Sequence, residues 1–339
     1  MRPDVVTEQQ TRLRAAAVSA AVVLFHLLLL ALMGLLLALI LFSAHSLIEG
    51  GRFNPKGVWR SAIFLWVTWQ ALTIRPPLTD PSRLADLAEY PGLADALKDA
   101  AMRVGAEVPK AVRITTAARI YAREEGGYLG GLIGPRALLI VGVAALPYLT
   151  ETELRVLLAR ALARWSAGET WYGVQAARVD LASEVMLHYL GSTWARFINP
   201  FYWLFYGFRA AFGRLLGAYR RQRELWADQA AAQAYPAADA ELAIKKQALY
   251  DAFWFQAMQP QFTGKGRVTF EDCWEAMAHE AAGYGRWQEL WEERLRARYG
   301  EEQTEPSLGE RLQHLAASEA MPAPGRPAMT PATAVVLRE

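Results

Sequence analysis

Apolar positions dominate the first part of the chain without interruption. From Ala15 to Ile48 no residue carries a formal charge, and the run "AAAVSAAVVLFHLLLLALMGLLLALILF" exceeds the roughly 20 residues a membrane helix needs. It is also longer than the roughly 7–15-residue apolar core of a signal peptide. The pattern predicts a transmembrane helix over 15–44, preceded by a tail over 1–14 and followed by a loop over 45–60. A second apolar stretch, "SAIFLWVTWQALTI", extends by Val58 and Trp59 into a second, shorter span over 58–74. Trp59, Trp66 and Trp69 suit a membrane interface. Pro76 and Pro77 then end it, since proline cannot continue a helix.

Beyond these segments the periodicity changes. Residues 81–105 alternate at helical spacing up to Gly105, a C-terminal cap. "AVRITT" and "RALLIVGV" read as short strands joined by the glycine-rich loop "REEGGYLGGLIGP". Residues 151–169 form a helix with Thr150 or Thr152 as N-cap, and Leu154, Leu157, Leu158, Ala161, Leu162 and Trp165 make its buried stripe. Helical stretches follow near 170–195, 209–234, 238–258 and 270–298. "PFYWLFYGF" at 200–208 is uncharged but too short to span, which leaves the membrane surface or the start of the next helix. From about Ser318 a Pro/Ala-rich composition predicts a disordered tail over 317–339. The fold class expected is α+β, mainly α: N-terminal transmembrane helices plus one domain over 81–316 with a small β element.

Composition adds limits. Lys plus Arg number 36 against 34 Asp plus Glu, a formal net charge of +2, so nothing electrostatic points to nucleic acid as a partner. Hydrophobic residues are 53% of the chain with 12 Trp, rich for a soluble domain and consistent with membrane lipid as a partner. The single cysteine, Cys273, excludes an internal disulfide and a Cys-pair zinc site and leaves the redox compartment undetermined. If both apolar segments span, Arg2, Arg12, Arg14, Arg75 and Arg83 share one side, with Arg52, Lys56 and Arg60 on the other. The basic excess places the main domain in the cytoplasm.

Candidate chemistry is sparse. Arg160 and Arg164 lie four apart on the 151–169 helix and share one face, with Glu153 on the same line two turns earlier. By pattern alone they read as a solvated edge. "HEAAG" at 279–283 opens like a zinc motif, but Gly283 stands where the second histidine would be. Glu184 with His188 has too few partners for a metal site. His26 reads as a helix-packing residue within the apolar run, although polar residues there can be functional. No G-x-S-x-G elbow is present. Arg220, Arg221 and Arg223 form a basic run suited to helix ends, salt bridges or lipid headgroups.

Three frames nevertheless line up. "LTETELRVLLARALARWSAGE" follows Leu-Ser/Thr-x-x-Glu-Leu-x-x-x-Leu-Ala-His-Glu-Leu-Gly-His. "RRQRELWADQAAAQ" follows Arg-x-x-Glu-x-x-Ala-Asp-x-x-Ala-Ala, and "TEPSLGERLQHL" follows Thr-His-Pro-Ser-Leu-x-Glu-Arg-Leu. In that order, behind N-terminal apolar helices, the chain resembles the HtpX-like and CAAX-prenyl-endopeptidase-like membrane zinc metallopeptidases over roughly residues 80–316.

The resemblance implies a zincin-like fold. In an active member, two histidines and a later glutamate would hold zinc, and another glutamate would serve as general base. Here only Glu224 occupies a ligand position. Arg160 and Arg164 stand at the histidine positions and Ala161 at the base. Glu305 replaces the C-terminal histidine, and Arg119 loosely corresponds to an edge-strand asparagine. Arg221, Asp228 and Arg311 complete the remnant frame. Guanidinium offers no lone pair to a metal, and alanine cannot move a proton.

No zinc and no catalytic residue are therefore expected. Two guanidiniums instead supply the charge of the absent ion. Arg160 and Arg164 are expected to pair with Glu224, and Asp228 or Glu153 to balance the remaining cation. Three functions follow from different classes. The first is a membrane-anchored pseudopeptidase with a binding or regulatory role, its cleft open to a protein or extended peptide. The second is an active hydrolase with a relocated site, and the third a scaffold whose cleft has collapsed.

Overall fold

The computed structural model describes residues 8–48, 55–73, 83–125, 136–166, 170–191, 197, 199–262, 269–296, 306–322, 324, 328 and 331–333. Uncharged, helix-favouring leucines and alanines carry the first helix, α1 (Glu8–Ile48), through the whole apolar run. It begins inside the segment read as a tail and continues past residue 44. The next helix, α2 (Pro55–Thr73), starts at a proline whose fixed φ suits a first helical turn. The loop expected over 45–60 overlaps both helices, at 45–48 and from 55 on, and its residues 49–54 lie outside the described residues. Among the described helices α1 alone is long and apolar enough to cross a membrane. The segment read as a second span is helical, but shorter and less apolar.

The sheet region departs from the predicted elements in two places. Residues 81–105 are not one helix: β1 (Arg83–Ala85) precedes α3 (Pro91–Val104). Pro91 opens α3 and disfavours helix at Tyr90 before it. Gly105 closes α3 in the left-handed conformation, φ 65°, as its position predicts. The second correction concerns the glycine-rich loop, whose first residues belong to a strand. Between β2 (Ala111–Thr115) and β4 (Arg136–Gly142) lies β3 (Ile120–Glu125). The sheet order is β1-β2-β4-β3, with β2 and β4 parallel and both outer strands antiparallel to their neighbours.

The helix α4 (Glu151–Ser166) crosses the centre of the domain, packed against α3, β3, α6 (Pro200–Ala234) and α7 (Ala237–Phe253). Thr150 caps it: the Thr150 Oγ1 accepts from the Glu153 backbone N–H, and Glu153 accepts from the Thr150 N–H at 2.7 Å. Val156, Ala159 and Ala163 are buried along with the predicted Leu154, Leu157, Leu158, Ala161 and Leu162. The Trp165 side chain lies outside the described set. Burial on every side removes the solvated edge assigned to Arg160. Alanine at three positions conceals this in the pattern, because small residues let neighbouring elements close in.

Helix α5 (Thr170–Gly191) and α6 form a second apolar assembly with α1 and α2. Asn199 caps α6, accepting from the Phe201 N–H at 3.0 Å, so the aromatic segment 200–208 is the first part of that helix. Phe205 and Phe208 meet Phe25 of α1, and Tyr189 stacks on Phe64 of α2 at 5.8 Å. A π-helical turn (Trp254–Met258) and the short α8 (Gln259–Phe262) continue α7. The last stretch predicted as one helix divides into α9 (Phe270–Gly283) and α10 (Trp287–Arg296), and α11 (Leu308–His314) follows. The tail read as disordered is ordered where described. The Ala328 N–H donates to the Pro147 carbonyl at 2.9 Å, the Ala332 N–H to that of Leu149 at 2.7 Å, and Ala332 is fully buried.

Candidate functional site

The candidate site is where α4, α6 and α11 meet. Glu224 and Asp228, four apart on one face of α6, turn their carboxylates toward α4 and are buried. Arg160, only 5% exposed, answers both. Its Nη2 donates to Glu224 Oε2, and its Nε donates to Asp228 Oδ1 at 2.6 Å. One turn on, Arg164 brings Nη1 to 2.7 Å from Glu224 Oε1, an ion contact outside hydrogen-bond alignment. The expected pairing of both arginines with Glu224 is therefore present.

Arg311 adds a third cation. From α11 it grips Asp228 with two bonds, Nε to Oδ2 at 2.6 Å and Nη2 to Oδ1 at 2.9 Å. Its helix is fixed by a capping box in which Ser307 accepts from the Glu310 N–H and Glu310 accepts from the Ser307 N–H. Glu310 also accepts from Arg221 of α6. Arg221 and Asp228 thus clasp adjacent residues of α11 through opposite charges. Arg223 turns back to donate to the Arg164 carbonyl at 2.8 Å.

Glu153 does not balance the cleft arginines. Both its oxygens accept from Lys246 of α7, at 2.8 and 2.9 Å. Glu305 lies outside the described residues. His26 places Nδ1 2.8 Å from the Val22 carbonyl and its ring edge-on to Phe25, a packing role. Glu184 lies 3.5 Å from Arg209. Cys273 is buried with its thiol directed at the Thr116 carbonyl, and burial pushes its pKa up to about 12. It is a packing group, since the reactive form is the thiolate.

A cavity of about 360 Å³ opens beside the cluster. Its charged lining is Arg119, Arg160, Arg294 and Arg311 with Glu224, Asp251 and Glu293. Ile244, Ala248, Ala252 and Phe255 of the α7 segment supply an apolar wall together with Leu308. Gln247 on that wall donates to the Ile120 carbonyl at 3.0 Å, tying α7 to the first residue of β3. Asp251 accepts from Arg294 at 3.0 Å. Arg119 had a loose place in the sequence frame, and the structure puts it on this cavity. Lys246, Gln247, Asp251 and Arg294 had none, because their partners are distant in sequence and no motif marks them.

No protein-family model, curated protein or solved structure matches the chain.

Zinc does not fit these residues. The i,i+4 positions hold guanidiniums without a lone pair, and Arg160 and Arg164 take up the Glu224 oxygens. Ala161, buried on α4, has no group to activate water. Among the described residues no three His, Cys, Asp or Glu side chains gather as a metal site. The electrostatics are those of a permanent salt. Burial works against charge on Glu224, but Arg164, Arg160, Arg311 and Arg119 outweigh it and hold the carboxyl far below its ordinary 4.5. Asp228 is lowered from 3.8 in the same balance, by Arg311 and Arg160 over its own burial.

Proposed function

We propose that the chain is a membrane-anchored pseudopeptidase with the frame of an HtpX-like zinc metallopeptidase, whose hydrolytic centre has become a fixed ion cluster and whose cleft serves binding. One observation carries this reading. Two cations four residues apart on α4 converge on the single carboxylate of α6 that stands at a ligand position. The cluster occupies the place of metal, ligands and base together, yet a cavity persists beside it, which favours binding over a collapsed scaffold. Arg119, just before edge strand β3, lines that cavity, so an extended peptide would run along the strand into the cleft.

The anchor is α1. Its 41 residues measure roughly 60 Å at 1.5 Å per residue, about twice a bilayer core. One face packs into the second apolar assembly through Val18, Val22, Phe25, Leu29 and Leu36, while Leu24, Leu27, Leu30, Leu35 and Phe42 remain exposed. Arg14 reaches the Ala218 carbonyl of α6 at 3.2 Å, so the N-terminal end of α1 is tied to α6, and the exposed face of the helix is left for lipid. Exposed Trp66, Trp69, Trp203 and Tyr206 fit the headgroup level. The basic residues flanking α1 and α2 favour a cytoplasmic domain.

The test is metal analysis together with peptide hydrolysis on the purified full-length protein in detergent. No stoichiometric zinc and no hydrolysis are expected, in wild type and in Glu224→Ala alike. One zinc per chain that disappears in Glu224→Ala, with hydrolysis disappearing alongside, would establish an active metalloenzyme instead.

A further inference from the structure

Besides α1, three stretches without Asp, Glu, Lys or Arg meet at one end of the second apolar assembly. They are 61–73 of α2, 185–191 at the end of α5 and 200–208 at the start of α6. Each is shorter than the roughly 20 residues a span needs. Phe64 of α2 stacks on Tyr189 of α5 and meets Phe201 of α6 at 6.5 Å, and Phe25 of α1 stacks on Phe208 at 5.0 Å. Arg14 reaches Ala218 while Phe25 reaches Phe208, so α1 and α6 run antiparallel. The start of α6 therefore lies alongside α1 beyond Phe25.

Charge decides where a bilayer fits along α1. From His26 to Ile48 the helix measures about 33 Å, one bilayer core. A core placed nearer the N-terminus would enclose Arg209, which lies 3.5 Å from both Asp180 and Glu184. It would also leave exposed Leu37, Leu39, Leu41 and Phe42 in water. With α1 spanning, the apolar core begins near Phe25, and the first two turns of α6 fall inside it. Those turns suit an apolar medium. Pro200 has no N–H to leave unmet, and Asn199 Oδ1 takes the Phe201 N–H at 3.0 Å. The Trp203 indole N–H already donates to the Phe197 carbonyl at 3.1 Å. Trp203, Leu204 and Tyr206 are nevertheless about half exposed, and Trp and Tyr are the residues of the membrane–water boundary.

We propose that the start of α6, residues 200–208, is a second membrane-contact surface, immersed in the leaflet nearest the domain without crossing it, with lipid as its partner. The inference rests on the anchoring role given to α1 and extends it from one helix to the end of a bundle. Lys56 and Arg60 begin α2 at the opposite end, from which long side chains reach toward the far headgroups. Glu224 lies about 24 Å beyond Phe208 along the same helix, so immersion fixes the height of the cleft over the lipid.

The experiment places an environment-sensitive fluorophore on full-length protein in phosphatidylcholine vesicles, one label at a time. The labelled variants are Leu204→Cys on α6, Leu30→Cys on α1 and Met102→Cys on the domain surface. All three positions are exposed, and Cys273 is buried, so unsubstituted protein serves as the blank. Lipid carrying a nitroxide at acyl carbon 5 should quench the labels at 204 and 30 at least twofold and leave the label at 102 unchanged. Iodide in the water should show the reverse order. Lipid quenching at 30 but not at 204 would overturn the proposal and leave the α1 anchor standing. A label at 204 shielded from both quenchers would overturn it too, since a second copy or another protein would then cover the surface. No lipid quenching at either position would end the inference and the anchor together.

Discussion

Arg160 divides one guanidinium between two buried carboxylates, so its removal is more serious than the loss of one surface pair. Glu224 and Asp228 would each lose a partner while remaining buried, a change that costs about 3–5 kcal/mol. Arg160→Ala should lower stability by that amount in detergent unfolding experiments. The same substitution in a Glu224→Gln, Asp228→Asn background should cost clearly less, because no unpaired charge is created. Acid should act through the same residues. Both carboxyls titrate lower in the folded chain than their ordinary 4.5 and 3.8, so their contribution is full above those values and is lost as pH falls below them. The unfolding midpoint should drop as pH is lowered from about 5 toward 3, with a shallower slope in Glu224→Gln. An equal slope in both proteins would remove the cluster from the pH response.

At the scale of elements, the site depends on how closely backbone segments approach. Gly142, the last residue of β4, donates to the Arg119 carbonyl at 3.0 Å. A β-carbon there would lie 2.5 Å from the Ala117 carbonyl oxygen and 2.6 Å from that of Arg119. Those are backbone atoms and cannot swing aside. Gly142→Ala should therefore destabilise the domain by about 1–3 kcal/mol and displace the 117–119 segment that carries Arg119. Thermal unfolding reads the effect, and an unchanged midpoint would mean that the segment yields freely. Helix α11 has a different attachment. It is held by the Arg221–Glu310 and Arg311–Asp228 pairs, and Gly309 lets it approach the Leu295 carbonyl of α10.

The whole molecule divides its apolar residues between two assemblies. One is the domain core around α4 and the sheet, and the other joins α1, α2, α5 and α6. Helix α6 belongs to both, from Phe205 in the second to Asp228 and Ala231 at the site and core. A chain anchored by α1 should stay with the membrane pellet after alkaline carbonate washing. Release into the supernatant would mean that the exposed leucines of α1 contact protein rather than lipid.

Much of this was legible from local pattern. A long uncharged apolar run specifies helix whatever surrounds it. Thr150, Gly105 and Pro91 act within one turn of chain, so the cap at Gly105 could be read directly and the other narrowed to Thr150 or Thr152, even though β1 ahead of Pro91 was not. The spacing of Arg160 to Arg164 placed both on one face, and the resemblance suggested that Glu224 meets them. Tertiary structure alone decided the rest. Strand β3 exists because β4 offers it a ladder, which no run of side chains announces. The burial of α4 on all sides depends on four other elements closing around small residues. Glu153 turned to Lys246 rather than to the arginines, and Arg311 closed on Asp228, across 93 and 83 residues of chain respectively. Periodicity records which face a helix buries. Which charge meets which is settled only when separate elements pack and water is excluded between them.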